Sequence, residues 1–160
     1  MSLERGGRGC GCQKCGRAGT RAAIGQAWEV SAGTRQAPRH LLLFHGTTLT
    51  VARRIQADQR MAPQTTYLAF GWRNRDLARV FAYRASRRRP RDGGPAMVVI
   101  SLAPEAYERL RRERLIRTIA FDPEDRPELR NRMQLVVEPG GIEILNRGAE
   151  RFAAVPLTAP

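Results

Sequence analysis

Residues 40–55, HLLLFHGTTLTVARRI, decide how the rest of the chain is read. Leu41, Leu42, Leu43 and Phe44 form a short apolar run with the length of a buried strand. His45, Gly46 and Thr47 follow as a turn, and Thr48 or Thr50 can then cap a helix reaching about Gln59. That helix places Val51, Ala52 and Ile55 on one face. Downstream, residues 66–70 read as a strand and Asn74 as the cap of a second helix. Leu77, Ala78, Phe81, Ala82 and Ala85 recur there at helical spacing, and Arg87, Arg88 and Arg89 close it before Pro90. Asp92-Gly93-Gly94-Pro95 is a turn, and residues 96–102 are the clearest buried strand.

Pro104 opens a third helix, to about Arg114, and residues 115–121 alternate as a strand. Asp122, Glu124, Asp125 and Glu128 lie in an acidic, proline-bearing loop. Residues 133–137 and 142–145 flank Pro139-Gly140-Gly141 and read as a hairpin. Helices and strands mixing early and strands pairing late indicate an α+β fold with antiparallel sheet. The expected organisation is a Gly/Arg-rich flexible leader over 1–38, one domain over 39–150, and a tail over 151–160. Ile24, Trp28 and Val30 are nearly the only large apolar groups of the leader and supply at most one short helix.

The chain has 160 residues and a formal charge of +13, with 28 basic against 15 acidic side chains. Lys14 is the single lysine. Codon usage in a G+C-rich genome accounts for arginine over lysine, but not for the excess of arginine over acid. That excess raises affinity for polyanions, and Arg84, Arg87, Arg88, Arg89 and Arg91 are either a track for an anionic acceptor or a solvated helix terminus. No apolar run approaches the roughly 18 residues needed to cross a bilayer, and no basic segment precedes an apolar one of signal-peptide type. A cytoplasmic protein without membrane contact is expected. Cys10, Cys12 and Cys15 cannot build a disulfide framework and have no obvious fourth ligand nearby, so reduced thiols and no metal are expected. His40 and His45 face opposite sides of a strand and make no metal pair. Phosphate-loop, dinucleotide-fingerprint and nucleophile-elbow motifs are missing.

The chemistry concentrates around His45. A histidine held at a strand end offers one ring nitrogen to a sugar hydroxyl. Gly46, without a Cβ, lets a ligand approach the backbone and use its N–H and C=O together, as a carboxamide does. Tyr67 and Phe81 supply flat faces for a ring. Such a set suits a nucleotide bearing an amide ring.

His45-Gly46-Thr47, Tyr67-Leu68-Ala69, the helix carrying Ala78 and Phe81, and a late strand around Gln134 occur in an order that resembles the ADP-ribosyltransferase superfamily. The branch is the one similar to diphtheria toxin and poly(ADP-ribose) polymerases, and small bacterial and phage-type members, some of them toxins, are the more similar. The resemblance covers residues 40–146. It implies split antiparallel sheets with a few flanking helices and NAD⁺ as substrate in the cleft between them. It further implies that His45 holds a ribose, Gly46 the carboxamide, and Tyr67 and Phe81 the nicotinamide ring, with Thr47 and Ala69 also cofactor-binding and His45 and Tyr67 counted among the catalytic residues. The implied activity is glycosyl transfer: the nicotinamide–ribose bond breaks through an oxocarbenium-like state, and a protein or nucleic-acid acceptor captures the ADP-ribose. An immunity or antitoxin partner is implied for a toxin.

That family usually carries a catalytic Glu where this chain has Gln134, and Glu138 lies about 13 Å further along the same strand face. Either Gln134 or Glu138 is then the catalytic-strand residue, and mono-ADP-ribosyl transfer is favoured over chain elongation. The alternatives are an NAD- or ADP-ribose-binding module of the same fold, and an enzyme similar to RNA 2′-phosphotransferases.

Overall fold

The computed structural model describes residues 40–121 and 127–158, all within the unit Ala37–Pro160. The leader 1–38 with its three cysteines and Trp28, and the acidic Asp122, Glu124 and Asp125, lie outside the described residues, as does the side chain of Glu128. Six strands and four α-helices are described: β1 (Leu41–Thr48), α1 (Leu49–Asp58), β2 (Thr66–Phe70), α2 (Arg75–Arg88), β3 (Pro95–Leu102), α3 (Pro104–Arg112), β4 (Ile116–Phe121), β5 (Arg132–Val137), α4 (Ile142–Gly148) and β6 (Ala149–Pro156). The strands form one antiparallel sheet in the order β4-β5-β2-β1-β3-β6, so the class is α+β.

Two apolar layers sandwich this sheet. Leu43, Leu68, Val98, Ile100 and Leu135 face α1, α3 and α4, which contribute Ala52, Ile55, Leu110, Ile142 and Leu145. Phe44, Ala69 and Met97 face the other way, against Leu77 and Ala78 of α2. The division follows from strand alternation, which sends successive side chains to opposite faces. The junctions between strands are unequal. β1 and β3 pair over eight positions, whereas β1 and β2 pair only at Leu43↔Phe70 and Phe44↔Ala69.

Several elements differ from the sequence reading. β1 does not end at Phe44 but continues through Thr48, because β3 supplies a partner at every position up to Thr48↔Pro95. Neither Thr48 nor Asn74 caps a helix with its side chain; the Thr48 hydroxyl is buried without a partner, and the Asn74 amide donates to the Phe70 carbonyl at 2.9 Å. Residues 142–145 are not a hairpin strand but the start of α4, entered through a 3₁₀ turn over Pro139–Gly141. Ile142 and Leu145, three apart and both buried, are a helical pair, and the Arg147 guanidinium bonds Glu143 one turn away at 2.9 Å.

Residues 151–156 are sheet rather than tail. They belong to β6, which pairs with β3, and Phe152 is only 1% exposed. β6 is an edge strand, and α1 covers its free side. Gln59 donates its amide to the Phe152 carbonyl and accepts from the Phe152 N–H, both at 3.0 Å, and Gln56 accepts from the Ala154 N–H at 2.6 Å. No helix among the described residues is long and apolar enough to cross a membrane.

Candidate active site

The short β1–β2 junction is where the sequence motifs converge. The Gly71 N–H donates to the Leu42 carbonyl at 2.9 Å, so the backbone groups of Leu42 point toward β2. Alternation along an antiparallel strand then directs those of Phe44 and Gly46 the same way. The ladder stops after Phe44↔Ala69, one step before Gly46 would meet Tyr67. The Tyr67 carbonyl instead accepts from His45 Nδ1 at 3.1 Å. Among the described residues, the Gly46 N–H and C=O therefore have no partner on the β2 side.

This bond also fixes the imidazole. A carbonyl only accepts, so Nδ1 carries the proton and Nε2 presents a lone pair. Burial pushes the His45 pKa below its ordinary 6.5, against the opposing pull of the Tyr67 carbonyl, and the ring is neutral at pH 7. Because the unfolded chain binds this proton more readily than the folded one, the neutral ring's contribution to stability is full above about pH 6.5. It is lost as pH falls from there toward the lowered folded value. The urea midpoint of the wild type is therefore expected to drop between pH 7.5 and 5 by more than that of His45→Gln. Equal drops would contradict the half-buried neutral ring.

His45 and Thr47 face the α1 side of the sheet, as their neighbours Leu43 and Val98 do. There they meet a cleft of about 480 Å³, walled by Arg54 and Asp58 of α1, the 60–64 loop and Arg89. The loop is held by Asn146 of α4, whose Oδ1 accepts from the Met61 N–H at 2.8 Å and whose Nδ2 donates to the Met61 carbonyl at 3.0 Å. Arg54, Arg60 and Asn146 carried no motif, and Arg89 was legible only as part of the basic run that closes α2. Each enters the site only through tertiary packing.

Tyr67, Ala69 and Gln134 face the opposite, α2 side. The sequence constellation is thus divided between two faces that meet at the β1–β2 gap. Tyr67 is 46% exposed and offers its ring to solvent. Phe81 is half-buried, edge-on to Phe121 with ring centroids 5.3 Å apart. Ala69 is buried beneath α2 with Phe44 and Leu77, so its side chain packs the helix and lines no open surface.

Gly46 acts differently from the sequence expectation. A Cβ there would lie 1.9 Å from the Ala78 carbonyl oxygen and 2.7 Å from the Ala82 nitrogen. The room left by the missing side chain is filled by α2, and only the in-plane N–H and C=O remain for a ligand. Gln134 lies across from Ala69 and is 3% exposed, with its Nε2 unpartnered. Glu138 lies beyond the end of β5, and its carboxylate accepts from Arg117 Nε at 3.0 Å. The structure does not bring Glu138 to the gap.

Among the described residues no cluster of His, Cys, Asp and Glu is arranged to hold a metal ion. No protein-family model, curated protein or solved structure matches the chain.

Proposed function

We propose that the chain is an NAD⁺-dependent mono-ADP-ribosyltransferase acting at the β1–β2 gap. The observation that carries this reading is the uncommitted Gly46 N–H and C=O beside a neutral histidine. A primary carboxamide has one acceptor and one donor edge, which is the complement of an extended residue's paired N–H and C=O. His45 Nε2, as an obligate acceptor, accepts a hydrogen bond from a ribose hydroxyl. Tyr67 supplies a ring face on the other side of the gap.

In the transfer, the bond from ribose C1′ to the pyridinium nitrogen breaks and its electron pair leaves with nicotinamide. A lone pair of the acceptor closes on C1′, and the acceptor's proton passes to solvent. Gln134, on the strand where a carboxylate would stabilise the C1′ charge, is neutral and buried, so turnover is expected to be slow.

A second reading, a binding module of the same fold, is favoured by the same residue: Gln134 is neutral, and Glu138 is engaged by Arg117. Labelled NAD⁺ tests both, with free nicotinamide and labelled macromolecules scored separately. The transferase releases nicotinamide and labels an acceptor, whereas a module binds without release. His45→Ala is expected to weaken NAD⁺ binding by about one to two orders of magnitude, for the loss of one or two ligand hydrogen bonds. It should also cost about 1 kcal/mol of stability through the lost bond to the Tyr67 carbonyl. Calorimetry showing no NAD⁺ binding by the wild type would overturn both readings.

A further inference from the structure

The arginine excess is unevenly placed. On α3 and α4 three of the four cations are matched locally, Arg109 by Glu113 at 2.7 Å, Arg111 by Glu108 at 3.5 Å and Arg147 by Glu143 at 2.9 Å. Arg87, Arg88, Arg89 and Arg91, at and just beyond the C-terminus of α2, are exposed and have no carboxylate partner among the described residues. Arg54 on α1 has none either. Unmatched arginines occur elsewhere among the described residues too, Arg53, Arg112 and Arg151 among them, but codon usage does not explain four of them within the five positions 87–91.

Where they gather is informative. Arg89 lines the His45 cleft and also a second, more open hollow formed by residues 88–92, of about 410 Å³. The two hollows thus share a wall. Together they present Arg54, Arg60, Arg88, Arg89 and Arg91 against Asp58 and Asp92. Arg60 is partly matched, 3.9 Å from Glu143.

We infer that this continuous basic surface is a docking track for single-stranded nucleic acid, leading from the α2 C-terminus into the His45 cleft. Guanidinium forks match phosphate oxygens two at a time, and a row of them tracks a backbone without reading sequence. A protein partner is disfavoured because the hollows lack the Trp and Tyr anchors that accompany arginine at protein–protein hot spots. The exposed large apolar side chains among the described residues are Tyr67, Trp72, Met133 and Val155, and none lines either hollow. A single strand is favoured over a duplex because a stacked, paired base cannot enter a recessed cleft. The inference rests on the proposed transferase reading only for what then happens to the strand; the docking itself needs no NAD⁺.

The test is fluorescence anisotropy of a short labelled oligothymidylate on the full chain across a salt series, without NAD⁺. The triple variant Arg88→Ala, Arg89→Ala, Arg91→Ala is expected to bind at least about tenfold more weakly, with a salt slope shallower by about 2 for three lost phosphate contacts. Arg109→Ala, Arg111→Ala, Arg112→Ala removes the same charge from α3 and should leave binding nearly unchanged. Equal weakening in both triples would reduce the effect to net charge and overturn the track. Failure of the wild type to bind would overturn it as well, as would competition by charge-matched polyglutamate as effective as the oligonucleotide itself. Calorimetry with NAD⁺ on the α2 triple separates the two readings. If NAD⁺ affinity falls and oligonucleotide affinity does not, these arginines hold the dinucleotide's phosphates and the track is wrong. Oligonucleotide binding lost in the α2 triple, by a protein that never binds NAD⁺, upholds the track and sinks the transferase.

Discussion

Gly46→Ala is expected to cost about 3 kcal/mol or more, enough to leave much of a marginally stable domain unfolded. The added methyl carbon would lie 1.9 Å from the Ala78 carbonyl oxygen and 2.9 Å from its carbon, both backbone atoms of α2. No rotamer change relieves such a contact, so the helix must lift off β1. Lifting it also separates Leu77 and Ala78 from Phe44 and Met97, the apolar layer on that face. Urea denaturation monitored by circular dichroism reads the effect. An alanine variant with the wild-type midpoint would show that α2 does not rest on β1 at Gly46. If the variant is too unstable to purify, the heat-denaturation midpoint in crude lysate gives the same comparison.

Gln134→Glu is expected to raise nicotinamide release by about 10²-fold, the scale on which one well-placed electrostatic group changes an acyl- or glycosyl-transfer barrier. The change is nearly isosteric, but it places a carboxyl group where the side chain is 3% exposed and unpartnered. Burial opposes ionisation, so the gain should appear only as pH rises and should come with a lower urea midpoint. Glu138→Gln serves as the contrast. It breaks an exposed pair with Arg117, worth about 1 kcal/mol at most, and should leave release unchanged. If Gln134→Glu binds NAD⁺ and releases nothing, the binding-module reading replaces the transferase. If Glu138→Gln abolishes release instead, the strand registers differently from the Ala69↔Gln134 pairing described above.

Much of the fold was legible because its elements carry the signals that physical periodicity provides. The apolar run before His45, the 96–102 strand and the Leu77–Ala78–Ala82 stripe all declare themselves in their own residues. The C-terminal strand did not. Glu150, Arg151, Ala153 and Ala154 show no apolar alternation, and what makes them a strand is the open edge of β3 together with two glutamines some 95 residues earlier. Residues 142–145 were ambiguous because four residues cannot distinguish a period of 2 from one of 3.6. The approach of α4 to α3 hinges on Gly148, whose Cβ would fall 2.1 Å from that of Ala106, a contact between positions 42 apart in sequence.

At the site, residue type was readable and role was not. His45 and Gly46 were identifiable from their setting between an apolar run and a helix. That His45 bonds a carbonyl 22 residues away, and that Gly46 gives its space to a helix, depend on strand register and helix placement. Arg54 and Arg89 come from separate elements and wall the same cleft only when the sheet is complete, and Asn146 of α4 holds its 60–64 loop through Met61.

Gln56 of α1 and Gln59, which caps it, have a consequence for behaviour in concentrated solution. An uncovered sheet edge is a template on which another chain can add a strand. Here the N–H of Phe152, the C=O of Phe152 and the N–H of Ala154 are occupied from within. The helix that provides this cover also carries Arg54 and Asp58, which wall the cleft. Recognition and colloidal safety are therefore mechanically linked: any change that frees α1 from β6 dismantles the cleft wall and, in the same movement, bares an edge on which chains can polymerise.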